Sequence, residues 1–171
     1  MTTDLAMLAA TAILTALLVM PYGLAMWTLW PVQEIVGNRD AAPPPLPAWA
    51  ERAQRAQRNM LENFPHFAVL VLIAHLAGVA DRYTAIGASV FFCARVVHAI
   101  VYIAGVWRLR APAFFAAWFG ECLIIFRLFG WTPAFGALVL TALIAVTVIA
   151  LVLLRRRVRP AMPGSGLVAA T

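Results

Sequence analysis

Five apolar runs, at roughly 5 to 30, 60 to 79, 83 to 106, 113 to 130 and 134 to 154, leave this chain few folds to adopt. Each is close to the ~20 residues that a helix rising ~1.5 Å per residue needs to cross a bilayer's hydrocarbon core. Inside lipid, every backbone N–H and C=O must find an internal partner, so only helices and closed barrels span it. The runs are rich in Leu, Ala, Ile and Val and lack the alternation of a barrel strand, so the sequence predicts an all-α integral membrane protein. A hydrophobic content of 64% with 12% charged residues excludes an ordinary soluble domain.

The punctuation between the runs divides the chain. Met-Thr-Thr-Asp precedes the first run, which has no basic leader and outruns a signal-peptide core; it is expected to be retained, with a kink at Pro21. Pro43, Pro44, Pro45 and Pro47 predict an extended linker, after which the second helix starts near Ala48 and projects from the membrane before entering it. Gly130-Trp131-Thr132-Pro133 breaks the last two runs into a hairpin. The expected organisation is a four-helix membrane domain over 1–130, an additional transmembrane helix with a basic end over 131–159, and a disordered tail over 160–171.

All thirteen basic residues are arginines, against seven acids. Such an excess suits nucleic acid or a membrane, and the placement excludes nucleic acid, because most arginines flank apolar runs instead of forming a basic domain with interleaved aromatics. With five spans, Arg39, Arg52, Arg55, Arg58, Arg108, Arg110, Arg155, Arg156, Arg157 and Arg159 all fall on one side. The positive-inside rule makes that side cytoplasmic, with the N-terminus outside and the C-terminus inside. Trp27, Trp30, Trp107 and Trp131 near span ends fit an interfacial aromatic belt.

Against this apolar background the stretch Arg55-Ala-Gln-Arg58-Asn59-Met-Leu-Glu62 is an energetic anomaly. At ~100° per residue, Arg55, Asn59, Glu62 and His66 project from one stripe of a helix, with Arg58 beside it. An ionised side chain within a bilayer costs ~2.5 to 3.5 kcal/mol or more unless it is paired or lines a wet cavity, so the cluster reads as a functional site. Snorkelling into the head groups would explain the arginines but not the Asn and Glu on their face. The third run carries a matching face: Arg95, His98 and Tyr102 are three and four apart. Measured by helical rise from the outer ends of their spans, Glu62 and Tyr102 both lie roughly 25 to 29 Å in, level enough to meet. A lining of arginine forks with one carboxylate and one phenol suits a ligand that has carboxylates and an ammonium group.

The remaining polar residues have plainer readings. His75 lies about half a turn from His66 and reads as a packing histidine. Arg95 and Glu121 come out at similar depth and are expected to pair. Cys93 and Cys122 read as small apolar packing residues, and no His/Cys/Asp/Glu grouping has metal-ligand spacing.

Arg-Ala-x-Arg-Asn-x-x-Glu before a proline, then Ala-Arg-x-x-His-x-x-x-Tyr in the next run and Arg-Ala-Pro after it, resembles the MAPEG family, the membrane-associated proteins in eicosanoid and glutathione metabolism, including its bacterial members. The resemblance covers roughly 5 to 130. It implies a four-helix transmembrane bundle, a homotrimer, glutathione bound at each subunit interface on the cytoplasmic side, and a lipophilic second substrate, in a bacterial inner membrane. By the same resemblance Arg55, Arg58, Asn59, Glu62, His98 and Tyr102 bind glutathione, and Arg110, with Arg108 as second choice, stabilises its thiolate. Arg39 is read first as a topology charge, and second as a contact to a neighbour's ligand. Two departures bear on catalysis: three extra residues separate Tyr102 from Arg110, and Phe114 stands where the prostaglandin synthase branch has an arginine. The implied activity is a glutathione-dependent transferase or peroxidase. The alternatives are a non-catalytic lipid- or glutathione-binding scaffold, and a subunit of a larger membrane complex docked through the fifth helix.

Overall fold

The computed structural model describes residues 1–158 apart from 39 and 41, with backbone alone for 133 and 154–158. Arg39, Arg159 and the tail from 160 lie outside the described residues, as do the side chains of Arg155, Arg156 and Arg157. The described residues form helices without a strand. In chain order they are α1 (Thr3–Leu17), α2 (Met20–Leu29), the short α3 (Val32–Val36), α4 (Ala48–Leu76), α5 (Arg82–Ala104), α6 (Trp107–Leu128) and α7 (Pro133–Val158). They divide into two compact units, one ending at Trp131 and one beginning at Thr132.

In the first unit α1 and α2 together make the first span, interrupted at Leu18–Val19 just before Pro21, where a proline suits the first turn of a restarted helix. α4 begins at Ala48 as expected and runs through Pro65 without a break. Four stretches are long and apolar enough to cross a membrane: Thr3–Leu29, Arg82–Ala104, Trp107–Leu128 and Ala134–Leu153. The expected second span, in α4, is not among them, because its Arg55 to His66 stripe dilutes the apolar residues that follow. That helix is held by protein neighbours instead: Ala53, Ala56, Met60, Phe67, Val71 and Ala74 are all buried.

The core lies among α4, α5 and α6, where Phe67, Val71, Ala88, Phe91, Ala117 and Ile124 meet and Leu5 and Leu8 of α1 close one side. Phe67 and Phe91 stack with centroids 3.8 Å apart. The largest interface joins α5 to α6. There Gly87 and Gly120 face each other so closely that a Cβ on either would lie 2.6 or 2.5 Å from the other's carbonyl oxygen. Small residues at a helix crossing let two backbones approach, and dispersion rather than hydrophobicity holds helices together in lipid.

One end of this pair is tied by Asp81. Its carboxylate accepts from the Tyr83 and Thr84 N–H groups while the Thr84 hydroxyl accepts from the Asp81 N–H, a reciprocal capping box at the start of α5. The same carboxylate pairs with Arg127 in the last turn of α6. Partial burial would raise the Asp81 carboxyl, but the hydrogen bonds from Arg127, Tyr83 and Thr84 and the Arg127 charge hold it below its usual value. At the other end α5 stops at Gly105, whose φ of +80° a side chain would disfavour.

In the second unit α7 is an apolar helix whose described side chains from Ala134 to Leu153 are mostly exposed, as a lipid-facing span requires.

Gly120→Val should cost about 1 to 3 kcal/mol or more by forcing α5 and α6 apart, read as a lowered melting temperature in detergent. Asp81→Asn keeps a competent cap and removes only the ionised partner of Arg127. A folded pKa below the unfolded one stabilises fully above the unfolded value, and the gain disappears as pH falls through the folded value. The melting-temperature gap between wild type and Asp81→Asn should therefore be present at neutral pH and close on acidification.

Candidate functional site

The sequence stripe on α4 and the polar face of α5 do meet, but not as one continuous pocket. At the arginine-bearing end of the bundle the start of α4, the end of α5 and the start of α6 come together. A cleft of about 120 Å³ is lined there by Arg52, Arg55, Tyr102, Gly105, Trp107 and Arg110, among others. Arg110 lies with its guanidinium carbon 4.9 Å from the Tyr102 ring centroid, a cation–π arrangement that holds a mobile cation over one spot. Arg55 is exposed and paired to Glu51 one turn earlier at 3.3 Å. An exposed pair of this kind is weak and readily exchanged for a ligand's anion.

Arg52 was read from the sequence only as a topology charge. Its Nε donates to the Ile103 carbonyl at 2.9 Å, satisfying one of the free carbonyls at the end of α5, and its guanidinium packs against the face of Gly105. The signal that could have found it is spacing: Arg52 lies three residues before Arg55, hence on a neighbouring face of the same turn.

Behind the cleft the polar residues are buried and mutually engaged. His98, 3% exposed, packs edge-on against Tyr102 at 5.4 Å and lies 6.3 Å from the Phe114 ring. Asn59 turns inward, where its Oδ1 accepts from both Nη atoms of Arg95 at 3.1 Å each. Arg95 Nε reaches the Met60 sulfur at 3.3 Å, and its side chain is among the largest that are fully enclosed. Arg58 and Glu62 remain on the exposed surface of α4, with no hydrogen bond or ion pair to any described residue, and do not line the cleft. Arg108 is likewise exposed and stacks on Trp107 at 5.2 Å, outside the lining.

The expected Arg95–Glu121 contact gives way to other partners. Glu121, 3% exposed, has Oε1 2.8 Å from His66 Nδ1, although the two atoms are misaligned for a hydrogen bond and the oxygen accepts none. His66, with no assigned partner in the sequence, thus closes a polar layer across α4, α5 and α6. Among the described residues no His, Cys, Asp or Glu grouping could hold a metal ion, and both cysteines are free.

The arrangement is that of a polytopic helical membrane protein whose charged residues converge at one end of the bundle in a partly open cationic cleft. Residues 5–130 match the model of the MAPEG family, and the chain belongs to that family. Membership places it among the membrane proteins of glutathione and eicosanoid metabolism. No curated protein matches the chain.

Asn59→Ala should lower stability by about 1 to 3 kcal/mol, because it strands the buried Arg95 donors. Arg95→Lys in an otherwise wild-type chain should lower stability as well, since an ammonium cannot supply two fixed donors to one oxygen. Thermal unfolding in detergent reads both variants.

Proposed function

We infer that the chain is a glutathione-dependent membrane transferase or peroxidase acting on lipophilic electrophiles. The observation that carries this reading is the convergence of Arg52, Arg55 and Arg110 around Tyr102 at one end of the bundle. Glutathione carries two carboxylates, an ammonium group and a thiol. The donor set fits it: arginine forks grip carboxylates bidentately, and Glu62 is a free carboxylate on the adjoining surface for the ammonium. Bound in the cleft, it would supply the sulfur nucleophile.

The chain's own groups would act in three ways. Arg55 and Arg58 orient the tripeptide by its carboxylates. Arg110, held over the Tyr102 ring, keeps the sulfur ionised, because a thiol beside a cation loses its proton more readily and the thiolate is the reactive form. His98 supports Tyr102 from behind by edge-on packing.

The size of the cleft supports a homotrimer in which a neighbour completes each site. Its volume of about 120 Å³ is below the roughly 300 to 1,000 Å³ of a ligand pocket, and Arg58 and Glu62 lie beside it uncovered. A second chain against α4 would cover that polar face and enlarge the cleft. The positive-inside rule supports a cytoplasmic address for this end. The sequence organisation into a 1–130 domain, a fifth span and a tail remains part of the reading, with the fifth span facing lipid or a partner subunit.

A second reading, a non-catalytic binding protein on the same bundle, is favoured by one observation: Phe114 occupies the place of an arginine in a related branch and packs near His98. Activity separates the two. Glutathione added to the purified protein should produce an ultraviolet thiolate difference signal, and Arg110→Ala should abolish both that signal and conjugation to an activated aryl halide while glutathione binding persists. Binding without a thiolate signal in the wild type favours the second reading, and equal activity in Arg110→Ala removes Arg110 from the mechanism.

A further inference from the structure

Away from the cationic cleft, a cavity of about 500 Å³ lies between α2, α3 and α4, with Tyr22, Gly23, Trp27, Trp30, Ile35 and Gln54 among its lining residues. It shares no lining residue with the cleft. Its volume falls within the roughly 300 to 1,000 Å³ of small-molecule sites, and its lining has their character, mostly apolar and aromatic with a few polar groups.

Three features define what would fit. Gln54, in the second turn of α4, sets a polar group toward the loop end of the span, while Val19 and Met20, with Tyr22 two residues on, form the limit toward mid-span. Trp27 and Trp30 stand at the loop end too, where indoles favour the membrane interface. Head outward and tail inward is the order of a lipid monolayer. Among the described residues no charged side chain lines the cavity. A charged head would therefore be desolvated without a partner among those residues, whereas the Gln54 amide can both donate to and accept from a neutral one. Gly23 leaves the wall open, for a Cβ built there meets nothing within 4 Å.

We propose that this cavity binds a neutral-headed, single-chain amphiphile taken from the membrane, its hydroxyl or carbonyl head at Gln54 and its chain along α2. The site is independent of the reading of the cleft. It lies on another face of the same α4 turns that carry Arg52 and Arg55, since Gln54 is ~100° from Arg55 and ~200° from Arg52 around the helix.

The test uses the full chain in lipid nanodiscs and a medium-chain alkanol carrying a mid-chain diazirine. Photolabelling should saturate, concentrate on α2 and the first turns of α4, and be competed by the plain alkanol. Gly23→Phe fills the open wall and replaces glycine with a better helix former, so it should keep the fold and reduce labelling several-fold. Gln54→Leu should weaken labelling by the alkanol probe while leaving a matched alkane probe unaffected, which decides the matter even where Gly23→Phe unfolds. Labelling that rises linearly with probe and spreads over the lipid faces of α5, α6 and α7 overturns the proposal. So does saturable labelling that is indifferent to both substitutions.

Discussion

A single guanidinium in the middle of the bundle sets the terms for everything around it. Arg95 is almost completely enclosed, and an enclosed charge in a membrane domain is tolerable only when its donors are used. Here two Nη atoms converge on one oxygen of Asn59, and Nε on the Met60 sulfur. Both partners belong to α4, the helix least suited to lipid by its own composition. The contact therefore does two things at once. It satisfies the cation, and it holds α4 against α5 where the apolar contribution of α4 is thinnest.

The same interaction determines what faces outward. With the Asn59 oxygen committed to Arg95, the amide nitrogen is the part of that side chain left to face elsewhere, and Arg58 and Glu62 to either side stay uncovered. A polar face on a membrane helix that is not covered by its own chain is incomplete in a physical sense. The bundle thus has a well-packed interior and an uncovered polar face near its arginine-bearing end.

Much of this was legible in the residues. Four of the five expected spans, the start of α4 at Ala48 and the Gly130 break follow from apolar run length and from proline and glycine chemistry, which are local properties, whereas the run in α4 falls short because its polar stripe depends on protein neighbours. The pairing of the two polar faces was legible too, because helical spacing and rise relate distant residues when helices run antiparallel. What the sequence hid is which polar group chooses which partner. Asn59 looked like a ligand contact and turned inward; Glu121 was expected at Arg95 and lies against His66; Arg52 looked like a topology charge and reaches the cleft. Helical rise resolves depth to within about a turn, and the choice among neighbours inside that turn depends on rotation and side-chain reach.

The break at Leu18–Val19 gives the first span two mechanical regimes. α1 is held by α4 and α5 and its Thr11 is wholly enclosed, whereas α2 leans on α4 and the short α3 and carries many exposed apolar side chains. A thicker or thinner bilayer bears on both halves, and α2 is the one with fewer protein neighbours. A span meets hydrophobic mismatch by tilting or kinking, and α2 is the half that gives up less packing when it does.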